Sequence, residues 1–159
     1  MEIDEYLDSM ILSLNKKEEA LKKLLLYTDE QTKLIGAEKF DADKFLYYIG
    51  EKGEVIKLIN VLDDGFNSTF KIIEKEVKDR PGKYTAKIKE MQAEIKKLTE
   101  LGVKLEAKER RNQPNLDNAL KKSKEKIRTY NVSQKAVANY YKSMSIDNDG
   151  FQFVGKKKK

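Results

Sequence analysis

Apolar residues recur along most of this chain in alternating steps of three and four, the spacing that gathers them on one face of an α-helix. Ile3, Leu7, Met10, Leu14, Leu21, Leu24 and Thr28 follow that rhythm, with Lys17 as the polar exception. The pattern predicts a first helix over residues 3–37, with Gly36 where a C-terminal cap is expected. Phe40 marks a short connection. A second helix is predicted from about Asp41, because a carboxylate there accepts hydrogen bonds from the free N–H groups of a first turn. Phe45, Ile49, Ile56, Ile59, Phe66, Phe70, Ile73 and Val77 keep one heptad register, interrupted by Lys52 and Asp63. Such a register makes a coiled-coil-like seam. Arg80-Pro81-Gly82 is the clearest turn signal in the chain.

A third helix is predicted to start close to Gly82 or Lys83, with Tyr84, Ile88, Met91, Ile95, Leu98 and Leu105 continuing a heptad. Residues 106–112 are then nearly all polar, and Pro114 follows. Proline removes a backbone donor and crowds the carbonyl one turn back, so a kink or break is expected there. Periodicity resumes at Leu116, Leu120, Ile127, Tyr130, Val137, Tyr141 and Met144, with a slip of one residue around Leu116 and Leu120. After Ser145 the chain turns polar and contains glycine, as a tail does.

The expected fold is all-α: an elongated antiparallel helical bundle or coiled coil of three long helices, the third extended and with its kink at Pro114. The expected units are a scaffold over residues 1–112, an amphipathic partner-binding helix over 113–145 and a flexible basic tail over 146–159. The first two helices would each be roughly 54 Å long and the third roughly 93 Å if continuous. On those lengths the seam is shared only up to about Leu105. The later apolar stripe has no partner within the chain, and an unhoused stripe marks a binding surface. Folding back as a fourth helix, or packing in a homodimer, are the alternatives.

Composition narrows the chemistry. The chain has no Cys and no His. It therefore lacks thiolate nucleophiles, imidazole bases and the usual zinc ligands, and no cofactor or metal is implied. No apolar run approaches the roughly 20 residues needed to span a bilayer. The acidic start, Met1-Glu2-Ile3-Asp4-Glu5, lacks a signal peptide's basic and apolar regions, so a cytoplasmic location is expected. Charge is uneven: residues 1–103 carry 18 basic and 21 acidic side chains, and residues 104–159 carry 15 and 6. The chain ends in Lys156-Lys157-Lys158-Lys159. Aromatic–basic interleaving of a nucleic-acid module is missing, so a solvated tail is the favoured reading and no nucleic acid is expected.

Motifs that could carry catalysis fail on inspection. Gly82-Lys83 is followed by Tyr84 where a phosphate loop needs Ser or Thr. Gly50-Glu51-Lys52-Gly53 lies inside a helical pattern. Asp147-Asn148-Asp149-Gly150 resembles part of a calcium loop, but Ser145 and Lys156 stand at the first and last ligand positions. Asp63 and Asp64 are adjacent on a helix and do not face each other, which suggests a solvated face with Asp63 at the seam edge. No catalytic constellation remains, and a non-enzymatic role is expected.

The segment Val132-Ser133-Gln134-Lys135-Ala136-Val137-Ala138-Asn139-Tyr140-Tyr141-Lys142-Ser143-Met144 resembles the C-terminal signature of FlgN-type flagellar export chaperones of Gram-positive bacteria. Gln152-Phe153-Val154 followed by lysines is similar to their closing residues. Glu51-Lys52-Gly53-Glu54-Val55-Ile56 and Leu62-Asp63-Asp64-Gly65-Phe66 resemble the family's central helix, and residues 21–35 match its N-terminal helix more loosely. The resemblance implies a small cytoplasmic chaperone of flagellar type III secretion. Its partners would be hook-associated junction proteins, kept soluble and delivered to the export gate and its ATPase apparatus. It further implies that Leu116, Leu120, Ile127, Tyr130, Val137, Tyr141 and Met144 face the bound protein, and that Tyr130, Tyr140 and Tyr141 are the candidates for gate docking. Two other classes stand beside it: a structural coiled-coil protein that self-associates, and a helical protein that binds nucleic acid through its basic half.

Overall fold

The computed structural model describes residues 2–122. They form three long helices: α1 (Ile3–Gly36), α2 (Ala42–Asp79) and α3 (Thr85–Lys122), with a 3₁₀ turn at Pro81–Tyr84 leading into α3. Three predicted helices are present, the third described as far as Lys122, and no strand occurs among the described residues. At the start of α1 the Glu2 backbone N–H donates to the Glu5 carboxylate at 3.0 Å. Asp41 caps α2 as its sequence position predicts, its carboxylate accepting from the Lys44 backbone N–H at 3.0 Å. Gly36 is the last helical residue rather than a residue past the end, and the chain leaves α1 through extended Ala37. The α2–α3 corner is pinned by Tyr84, whose hydroxyl donates to Glu76 at 3.0 Å.

The two corners make α2 antiparallel to α1 and α3, so α1 and α3 run parallel. Ion pairs mark that alignment at both ends: Lys87 meets Asp8 at 2.6 Å, and Lys108 meets Asp29 at 2.8 Å. α1 is the common partner, packing along α2 on one side and α3 on the other. The main core combines Leu7, Met10, Leu14, Leu21 and Leu24 of α1, Ile56, Ile59, Phe66 and Ile73 of α2, and Met91, Leu98 and Leu105 of α3. These are the heptad positions read from the sequence. Their burial supplies the main driving force for assembly, at about 1.5–3 kcal/mol per large side chain.

One expectation about α3 is narrowed and one is corrected. The helix runs through Pro114 without a break. Pro114 is solvent-exposed, so the carbonyl of Arg110 that loses its N–H donor lies on the wet side of the helix. The next carbonyl, that of Arg111, accepts a side-chain bond from Asn115 at 3.2 Å. The shared seam also does not stop near Leu105. Leu116 and Leu120 are buried, at 4% and 1% exposure, against Phe45, with Leu34, Ile35, Phe40 and Ile49 packed around them. Because α3 runs parallel to α1 and covers the α1–α2 connection, these two leucines have a home within the chain. The scaffold expected to end at residue 112 therefore continues in the same helix to Lys122.

Candidate functional site

The sequence places its partner-facing residues at the C-terminal end of α3 and beyond, so the end of the bundle beside the α1–α2 connection is the region to build up. Three helices converge there on a polar layer. Lys52 of α2 is fully buried. Its ammonium donates to Gln31 Oε1 of α1 at 2.5 Å and to Glu109 Oε2 of α3 at 2.7 Å. Thr28 of α1 donates to the same Glu109 oxygen at 3.3 Å, and Gln31 Nε2 donates to the Phe45 carbonyl at 3.4 Å. One turn further along, the Thr32 hydroxyl lies 3.0 Å from Asn112 Oδ1, while the other amide atom of Asn112 is buried without a partner. Burial pushes the Lys52 ammonium below the ordinary lysine value, and the Glu109 carboxylate opposes that shift. An ammonium in contact with a carboxylate and an amide oxygen is a satisfied buried charge, which is how such a group is tolerated in a core.

Two further buried polar contacts lie along the bundle. Lys17 of α1, 2% exposed, pairs with Asp63 of α2 at 2.8 Å. Burial pushes its ammonium down and Asp63 opposes the shift. Asp63, 28% exposed, is therefore an interhelical ion-pair partner at the edge of the seam. Between α1 and α3 the carboxyls of Glu18 and Glu94 face the same Lys97 ammonium. Lys97 approaches Glu94 at 3.6 Å and Glu18 at 3.8 Å. Burial raises the Glu94 carboxyl above the usual carboxylate range, while interaction with Glu94 first and Lys22 second lowers that of Glu18.

Past the polar layer lies the small second core of Phe45, Leu116 and Leu120. Beside it opens a cleft of about 960 Å³, lined by Thr32, Ile35, Phe40, Asn112, Asn118 and Lys122 among others. Of the residues expected to face a partner, Leu116 and Leu120 are brought together, but into the bundle. Ile127, Tyr130, Val137, Tyr140, Tyr141 and Met144 lie outside the described residues, as do the predicted tail and the calcium-loop-like segment.

The polar layer was only half visible in the sequence. Lys17, Lys52 and Asp63 stood out as interruptions of apolar registers; the two lysines prove to be buried and ion-paired, Lys17 with the half-buried Asp63. Glu109 and Asn112 were hidden in a stretch that reads as plain surface. The signal for them was spacing: Leu105, Glu109, Asn112, Leu116 and Leu120 step by four, three, four and four, which keeps all five on the buried face. Among the described residues, no group of three or more acidic side chains is placed to hold a metal ion, and no helix is long and apolar enough to cross a membrane. Set against protein-family models, curated proteins and solved structures, the chain matches none.

Proposed function

We propose that this protein is a non-enzymatic cytoplasmic export chaperone of the FlgN type. It binds hook–filament junction proteins through its C-terminal residues, holds them from premature assembly and hands them to the flagellar type III export gate. The observation that carries the reading is the contrast between the two parts of the chain. Residues 1–122 hold 24 basic and 24 acidic side chains and fill their own seam with their own apolar residues. Residues 123–159 hold 9 basic and 3 acidic side chains, so the whole net charge of +6 falls there, together with Ile127, Tyr130, Val137, Tyr141 and Met144 at helical spacing. A stripe of tyrosine and aliphatic side chains suits reversible docking of an amphipathic helix, since tyrosine buries a ring and keeps a polar end.

The test uses the full chain. Replacing Tyr130, Tyr141 and Met144 together by Ala is expected to abolish capture of purified junction protein and leave the helical circular dichroism of the bundle unchanged. Undiminished capture overturns the reading. Tyr130→Ala, Tyr140→Ala and Tyr141→Ala made singly should separate junction-protein binding from gate docking: the docking tyrosine is the one whose loss stops export but not capture.

One observation favours self-association as a second reading. Tyr47, Leu58, Val61 and Ile72 are 48–65% exposed and fall on one outer stripe of α2, spaced by 11, 3 and 11 residues. Light scattering on the isolated protein decides it, since a stable dimer that persists at low micromolar concentration and is lost in Val61→Glu supports this reading.

A further inference from the structure

α2 buries one face in the bundle and carries four exposed apolar side chains on another, Tyr47, Leu58, Val61 and Ile72. At about 100° per residue these four fall within roughly 60° of one another around the helix. Their spacing of 11, 3 and 11 residues reads the same from either end. A stripe of that kind is complementary to itself when two copies of α2 lie antiparallel. Tyr47 then meets Ile72 of the second copy, and Leu58 meets Val61. Glu54 stands within the stripe between Tyr47 and Leu58, and Gly65 stands between Val61 and Ile72, both exposed. The two lie equally far from the midpoint of the pattern. Antiparallel pairing therefore sets Glu54 against Gly65 of the second copy, where no side chain competes for its space. Parallel pairing would set Glu54 against Glu54, which like charges oppose. Nothing within the chain calls for glycine at this position, since a Cβ on Gly65 would meet nothing within 4 Å. A mid-helix glycine nevertheless weakens its own helix.

We propose that this stripe is the interface of an antiparallel homodimer, with a two-fold axis midway between Leu58 and Val61 and Glu54 seated over Gly65 of the second copy. Charge at the ends of the stripe fits the same arrangement. Asp43 and Lys75 lie to one side of the stripe, and Lys44 and Glu76 to the other. A two-fold antiparallel pair brings like sides together. Asp43 therefore lies beside Lys75 of the second copy, and Lys44 beside Glu76, so opposite charges meet on both flanks. All of these residues belong to the bundle, and pairing breaks no contact within it. This interface rests on the self-association reading and not on the export-chaperone one.

The test uses the purified full chain. Light scattering at micromolar concentration should give twice the mass of one chain. Leu58→Glu and Val61→Glu should each weaken the dimer at least tenfold and leave the helical circular dichroism unchanged, because both side chains are exposed in the bundle. Gly65→Gln favours the helix but fills the space opposite Glu54, so it too should weaken the dimer at least tenfold. The chain has no Cys, so introduced cysteines report the pairing directly. Oxidising an equimolar mixture of Tyr47→Cys and Ile72→Cys chains should give the mixed disulfide dimer in large excess over either homodimer. The mass of one chain at every concentration overturns the interface and self-association together, and leaves the stripe to a different protein or to residues 123–159. A dimer that survives Val61→Glu, that is unchanged in Gly65→Gln, or that links Tyr47→Cys to itself keeps self-association and overturns this interface.

Discussion

The two ends of this bundle are made from the same three helices by different means. Near the α2–α3 corner, apolar side chains from all three helices meet in a core from Leu7 and Ile73 to Leu105, crossed by the Lys17–Asp63 ion pair. Near the α1–α2 connection, the same heptad positions carry Thr28, Gln31, Lys52, Glu109 and Asn112. Apolar packing is non-directional and tolerates a helix sliding by one turn. An ammonium that must meet one carboxylate and one amide oxygen does not, since a slip of 5.4 Å leaves a charge buried alone. The apolar end thus supplies most of the stability, and the polar end fixes which residues of α1, α2 and α3 stand opposite each other.

The largest expected effect breaks the polar end. Lys52→Met leaves the Glu109 carboxylate buried without its cation and should cost about 3–5 kcal/mol in urea unfolding. Adding Glu109→Leu should restore that loss fully and can exceed wild-type stability by about 1–4 kcal/mol, because a well-packed apolar pair replaces an ion pair. If the double variant stays as unstable as the single one, the layer stabilises the fold as well as specifying it. The price of the double variant is expected in register: its exchange pattern should show a broadened set of slowly exchanging α3 amides.

The next effect separates the two cores. Leu98, fully buried in the large core, should lose about 3 kcal/mol of global stability on truncation to Ala. Leu120 is as deeply buried at 1% exposure, yet Leu120→Ala should cost less in global unfolding and appear instead as faster exchange confined to the end of α3. Equal urea midpoints for the two variants would mean that the ends unfold as one unit.

A smaller effect concerns how the second core is reached. Asp41 caps α2 three residues before Lys44 and four before Phe45, so Asp41→Ala should cost about 1 kcal/mol and fray the turn that presents Phe45. The loss should be larger in amides of residues 42–46 than anywhere in α1.

Why one end was legible in the sequence and the other was not follows from this difference. Helix number, helix limits, the Asp41 cap and the apolar seam depend on local spacing and on transfer from water, both of which a linear pattern carries. Lys17 and Lys52 were visible as exceptions, but their partners were not, because Asp63 and Glu109 lie 46 and 57 residues away along the chain. The break expected at Pro114 failed for a related reason. Proline's cost is local, but whether a helix continues past it is decided by what lies beyond, and here Leu116 and Leu120 find a core within reach of the continuing helix. The candidate partner-facing stripe was read from periodicity alone, which cannot tell a surface that faces a second protein from one that faces the chain's own helices.

The smallest effect tests whether the apolar end is as free of charge frustration as it looks. Glu94 sits there in α3 with one carboxyl oxygen buried and without a hydrogen bond, facing Glu18 of α1. Burial first, and then Glu18, raise its carboxyl above the usual range, with Lys97 opposing. A raised acid holds its proton longer folded than unfolded. Its contribution to stability is therefore present below the unfolded value of about 4.3 and is lost as pH rises through the folded value. Glu18 is shifted down and runs the other way: its contribution is present above the unfolded value and is lost as pH falls through the folded one. Glu94→Gln removes the ionisation and presents an N–H to the Glu18 carboxylate. It should raise stability at pH 7 by on the order of 1 kcal/mol and by less at pH 4, where the raised Glu94 carboxyl ionises less. Urea unfolding at the two pH values measures it. An equal gain at both would trace the effect to packing, and leave Lys17, paired with Asp63, as the buried charge of the apolar end.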